Sequence, residues 1–149
     1  MSLRKPAPVK APTNGKATAG LELTYAQVLD AAEAMARLLK VPLPSVLSLG
    51  LHQRYQVLKF VAGPVLDADK ALAERFTKKD RKGKPVLDNG RGVLRDKEKY
   101  WRERADLMAT KTRVKVEPLE RDTLPEKVDG KPVVVAGEVW ELLGPLLTN

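Results

Sequence analysis

FTKKDRKGKPVLDNGRGVL, Phe76 to Leu94, decides whether this chain is read as all-helical. On both sides of it the apolar residues recur at helical spacing, but inside it they do not. Lys84 to Leu87 and Gly92 to Leu94 are short β-capable pieces around Asp88-Asn89-Gly90-Arg91. Asn-Gly is a strong hairpin signal because both residues tolerate positive φ. The stretch therefore predicts a β-hairpin inserted between two helices. A phosphate-gripping loop is the competing reading, and it fails on spacing. Neither Gly15-Lys16 nor Gly83-Lys84 completes G-x-x-x-x-G-K-[ST], and Lys84 runs into Pro85, which has no amide to donate.

Upstream, Leu23-Thr24-Tyr25-Ala26-Gln27-Val28 carries a helix start, with Thr24 and Gln27 set for a capping box and Leu23 and Val28 for a hydrophobic staple. Val28, Ala32, Met35 and Leu39, with Leu29 and Ala36 alongside, predict one apolar face until Val41-Pro42 stops the helix. A second, longer helix is expected from about Ser45, with Leu47, Leu51, Tyr55, Leu58, Ala62, Val65 and Leu72 along one side. Gly63-Pro64 should kink or break it, since proline removes an i to i−4 hydrogen bond and clashes with the preceding turn.

Downstream, Asp96 should cap a third helix, KEKYWRERADLMA, with Tyr100, Trp101, Leu107 and Met108 facing inward. The period then changes to two. Thr112, Val114 and Val116 alternate with Arg113, Lys115 and Glu117 as a half-buried strand that Pro118 ends. DGKPVVVA reads as another short strand, and GEVWELLGPLL as a terminal helix stopped at Gly144-Pro145. Gly-Lys-Pro-Val occurs at Gly83 to Val86 and again at Gly130 to Val133, which is reused turn chemistry rather than a domain repeat. The fold class is α+β: a small bundle of two or three main helices with a β-hairpin insertion, a short antiparallel β element and a short C-terminal helix.

At 149 residues and 43% hydrophobic residues, the chain suits one domain with a real core. That domain is expected over residues 21–149, with 75–95 as a basic connector. Residues 1–20, rich in Pro, Ala, Lys and Gly, cannot repay the entropy of ordering and read as a flexible tail. The net charge of +8 is concentrated in two places: +4 in the tail, with no acid, and +7 between Arg75 and Arg104, from twelve basic and five acidic residues. No apolar run approaches the roughly 20 residues needed to span a bilayer, and the N-terminus has no apolar signal region. A soluble intracellular protein, or part of a soluble assembly, is expected, with no membrane contact. The absence of isoleucine, with three Asn and three Gln, points to a GC-rich, thermophile-like source.

Catalytic patterns are missing. Without cysteine there is no thiol nucleophile and no zinc ribbon. His52 is the sole histidine, and no G-x-S-x-G, H-E-x-x-H or carboxylate cluster accompanies it. Asp67 with Asp69, and Glu138 with Glu141, read as solvated helix faces. No enzyme activity, cofactor or metal is expected. Nucleic-acid binding is the chemical alternative: Arg95, Lys97, Lys99, Arg102 and Arg104 add to the connector's charge, and Tyr100 or Trp101 is placed to stack on a base.

The order of elements resembles a family of small tailed-phage proteins encoded among tail and late genes. The matching parts are LELTYAQVLDAAEAMARLL, HQRYQVLKFVAGPVLDADKALAERF, GKPVLDNGRGVLRDKEKYWRERADLM, TRVKVEPL and GEVWELLGPLL, spanning Leu21 to Asn149. The basic tail and Gly63-Pro64 depart from the family's pattern. The resemblance implies a non-enzymatic, tail-associated virion component or assembly factor, and supplies no catalytic residues. Together with the charge distribution it predicts docking onto acidic surfaces of partner subunits through Arg4, Lys5, Lys10 and Lys16 of the tail and Lys78, Lys79, Arg81, Lys82, Lys84 and Arg91 of the hairpin. The alternatives are a charge-driven nucleic-acid-binding protein and a small phage regulator that binds and inhibits a host enzyme.

Overall fold

A capping box opens the first helix as expected. The Thr24 hydroxyl accepts from the Gln27 amide at 3.1 Å, and the Gln27 side chain accepts from the Thr24 amide at 2.9 Å. The computed structural model describes residues 20–148, so the tail cations Arg4, Lys5, Lys10 and Lys16 lie outside the described residues. The elements in chain order are β1 (Leu21–Thr24), α1 (Tyr25–Leu38), α2 (Ser45–Phe76), β2 (Leu87–Asp88), β3 (Arg91–Gly92), α3 (Lys97–Ala109), β4 (Lys111–Val114), β5 (Leu119–Glu120), β6 (Lys127–Val128), β7 (Lys131–Pro132), α4 (Gly137–Leu143) and β8 (Leu147–Thr148). The fold is α+β.

Helix α1 is central, packed against both α2 and α4. That double contact corrects its expected face: Val28, Ala31, Ala34, Met35 and Leu38 are buried, whereas Ala32 and Leu39 are half-buried. The alanines let a neighbouring helix approach closely. The main core adds Leu51, Leu58 and Ala62 of α2, Val114, Val116 and Leu119 around β4 and β5, and Val139, Leu143 and Leu146 at the C-terminal end.

Helix α2 runs unbroken through Gly63-Pro64, so the expected interruption does not divide it. Leu58, Ala62, Val65 and Leu72 are buried on one side of it while Pro64 is exposed. Burial on both sides of the proline, at roughly 1.5–3 kcal/mol for each large side chain, outweighs a helix penalty of about 3 kcal/mol. The Phe60 carbonyl, which loses its amide partner, belongs to a residue in solvent.

The antiparallel β element forms between β4 and β1, in the register Leu21 to Val114 and Thr24 to Lys111. Segment 21–24 carries no separate strand signal, because its residues also serve the helix cap. Gly20 leads into it at φ +81, where a Cβ would stand 2.8 Å from the Val114 carbonyl oxygen, so the close backbone approach needs glycine. The expected strand in DGKPVVVA is shorter than predicted: β6 and β7 form a tight hairpin at Asp129-Gly130, and residues 133–135 carry no strand. The two ends of the domain's last third meet where β5 pairs in parallel with β8.

Arg54 ties the β4–β5 connection to α2. Its guanidinium donates to the carbonyls of Gly50, Glu117 and Pro118 at 3.1, 3.0 and 3.2 Å. Burial pushes its pKa below the ordinary arginine value, partly offset by the Glu117 carboxylate. At the other end, Arg37 bridges Glu33 of α1 and Glu138 of α4 at 2.7 and 3.2 Å, and the two acids, Glu138 foremost, raise its pKa above the ordinary value.

Candidate interaction site: the basic lobe

Beyond the main core, the end of α2, the hairpin and the start of α3 form a lobe with its own small core. Leu72, Phe76 and Tyr100 are buried together there, with Ala73 and Leu94 against them. Phe76 and Tyr100 meet edge to face at 5.8 Å between centroids, a favoured aromatic geometry.

The hairpin is bonded back to the exit of α2. The Lys78 amide donates to the Val93 carbonyl at 2.7 Å, the Val86 amide to the Lys78 carbonyl at 2.8 Å, and the Val93 amide to the Val86 carbonyl at 2.9 Å. Arg95 closes the ring, its amide donating to the Phe76 carbonyl at 2.8 Å. Strands β2 and β3 turn at Asn89 and Gly90 with φ of 51° and 78°, as the Asn-Gly signal predicts. A second turn at the lobe's edge is held by Asp80, whose carboxylate accepts from the amides of Lys82 and Lys84 at 2.8 and 3.0 Å.

These bonds decide which charges remain available. Asp80 is engaged with the backbone, and Asp96 caps α3 by accepting from the Lys99 amide at 3.3 Å. Glu103 pairs with Arg75, and Glu98 with Arg102 at 3.9 Å. Arg104 grips Asp69 with two donors at 3.0 and 3.3 Å. Arg95 donates to the Arg75 carbonyl at 3.0 Å and lies over Phe76. Lys78, Lys79, Arg81, Lys82, Lys84, Arg91, Lys97 and Lys99 remain: exposed and without an ion pair among the described residues.

The structure thus brings all six hairpin cations of the sequence reading onto one lobe. Sequence reasoning missed the division of labour among the arginines, since a tertiary partner such as Asp69, far along the chain, leaves no local signal. It also set Trp101 inward. Trp101 is 55% exposed, because α3 turns Tyr100 to the small core and has little else packed on it, while Leu107 and Met108 are half-buried. Trp101 stacks edge-on to Tyr100 at 5.1 Å and carries Arg104 over its ring at 5.9 Å. Leu87, 63% exposed, sits on β2 of the hairpin.

His52 is exposed beside Gln56 at 3.4 Å. Of the acidic pairs, Asp69 is engaged by Arg104 and Glu138 by Arg37. Among the described residues no three His, Asp or Glu side chains gather as a metal cluster, and no helix is long and apolar enough to cross a membrane. No family model matches the chain, and neither does any curated protein or solved structure.

Proposed function

We propose that this chain is a non-enzymatic binding protein whose basic lobe docks onto an acidic surface of a partner protein, within a tailed-phage-type particle or during its assembly. The observation that carries this reading is the set of eight exposed cations, six on the ordered hairpin and two at the start of α3, left without an ion pair among the described residues while Asp80, Asp96, Glu98 and Glu103 are used internally and only Asp88 of the hairpin stays unengaged. Burying such a surface against a neutral partner would strand charge, whereas an acidic partner neutralises it and is steered towards it. Leu87, an exposed apolar residue on the same hairpin, favours protein over nucleic acid, since apolar contacts bordered by polar ones are the usual anatomy of a protein interface. The particle setting rests on the family resemblance.

Removing residues 1–19, which leaves Gly20 in place before β1, and reversing Lys78, Lys79, Arg81 and Lys82 to Glu is expected to abolish incorporation into particles. Unchanged incorporation would refute the proposal. Trp101 favours a second reading, single-stranded nucleic acid, because an exposed indole beside unpaired cations is a stacking platform. That reading requires binding at about 50 mM salt that falls steeply as salt rises, together with quenching of tryptophan fluorescence that Trp101→Ala removes.

A further inference from the structure

The outer face of α2, opposite the main core, has no cover among the described residues. Phe60 is 83% exposed and Leu66 is 54% exposed. Lys59, Asp67, Lys70 and Glu74 are exposed on the same face without an ion pair among the described residues. At the centre of this group stands Gly63. A Cβ there would meet nothing within 4 Å, and its backbone is not left-handed. Glycine inside a helix costs about 1 kcal/mol relative to alanine, and nothing among the described residues requires one here.

The residues on this face are complementary to each other when counted outward from Gly63. Phe60 and Leu66 lie three positions away on either side, Lys59 and Asp67 four, and His52 and Glu74 eleven. Two antiparallel helices related by a two-fold axis place each residue against its mirror position. An axis passing Gly63 therefore sets Phe60 on Leu66 of the second copy, Lys59 on its Asp67 and His52 beside its Glu74, each contact made twice. The glycines at the axis let the two backbones come close.

We propose that two copies of this chain pair antiparallel through the outer faces of α2, about a two-fold axis at Gly63. Antiparallel pairing also keeps the basic lobes apart. At 1.5 Å per residue the two Phe76 ends lie roughly 40 Å from each other along the axis, several times the screening length of about 8 Å at physiological salt. Parallel pairing would set the lobes side by side. The surface is distinct from the basic lobe, so this pairing and the proposed function fail independently.

Sedimentation of the full chain should show a reversible dimer between about 1 and 200 µM, the range of a modest interface. The chain has no cysteine, so Gly63→Cys introduces a single thiol, and mild oxidation is expected to link it across the axis. Asp122→Cys, an exposed position on the turn after β5, should not link. Lys59→Glu or Asp67→Lys alone should weaken the dimer roughly tenfold, as two symmetry-related pairs are lost, and the double variant should restore it. A monomer throughout that range, failure of Gly63→Cys to cross-link, or a charge swap without rescue would each overturn the proposal.

Discussion

Pro64 shows how a single residue's preference is overruled by what its helix buries. Its neighbours Ala62 and Val65 face the core while the ring and the freed Phe60 carbonyl face water. Pro64→Ala restores one intrahelical bond at an exposed site with no packing to lose. It is expected to raise stability by about 1–3 kcal/mol, measured by urea unfolding at unchanged m-value. Arg54 acts in the opposite sense. It donates to three carbonyls from a partly buried position, and Arg54→Met removes the clamp on the Glu117 and Pro118 carbonyls, while Gly50 keeps its helical amide donor. A loss of about 1–3 kcal/mol is expected, with faster amide exchange confined to residues 115–120 if the clamp is the reason.

At the scale of elements, the hairpin depends on Asp80 as much as on Asn89-Gly90. Asp80→Ala removes the acceptor for the Lys82 and Lys84 amides, and hydrogen exchange should quicken at those two amides while the α1 core stays protected. Most elements were legible because their signals are local. The Thr24–Gln27 box, the Asp96 cap, the Asn-Gly turn and the period-two run at Thr112 to Val116, of which the strand keeps only the part up to Val114, each lie within a few residues. What was not legible depended on distant partners. Segment 21–24 became a strand only because residues 111–114 pair with it, and the buried face of α1 widened because α4 packs on it from the far end of the chain. The same holds at the site. The hairpin cations could be read from composition, but Trp101's exposure and the engagement of Arg75, Arg95, Arg102 and Arg104 could not, since packing and ion pairing across the fold decide them.

For the whole molecule, the separation of roles follows from where the charge falls. Residues 105–149 carry more acids than bases and the stretch from Leu21 to Glu74 is nearly neutral, so the excess lies in the lobe and the tail. A net charge spread for solubility alone would not leave one ordered hairpin with so many cations against a single unengaged acid, Asp88, once Asp80 is spent on its turn: Lys78, Lys79, Arg81, Lys82, Lys84 and Arg91 all stay without an ion pair among the described residues. The most direct test is affinity capture from nuclease-treated infected cells at moderate salt, comparing the native chain with the Lys78→Glu, Lys79→Glu, Arg81→Glu, Lys82→Glu variant and identifying retained proteins by mass spectrometry. The native chain should hold one or more acidic particle proteins that the variant releases; equal retention by both chains, or loss of all partners on nuclease treatment, would contradict the account.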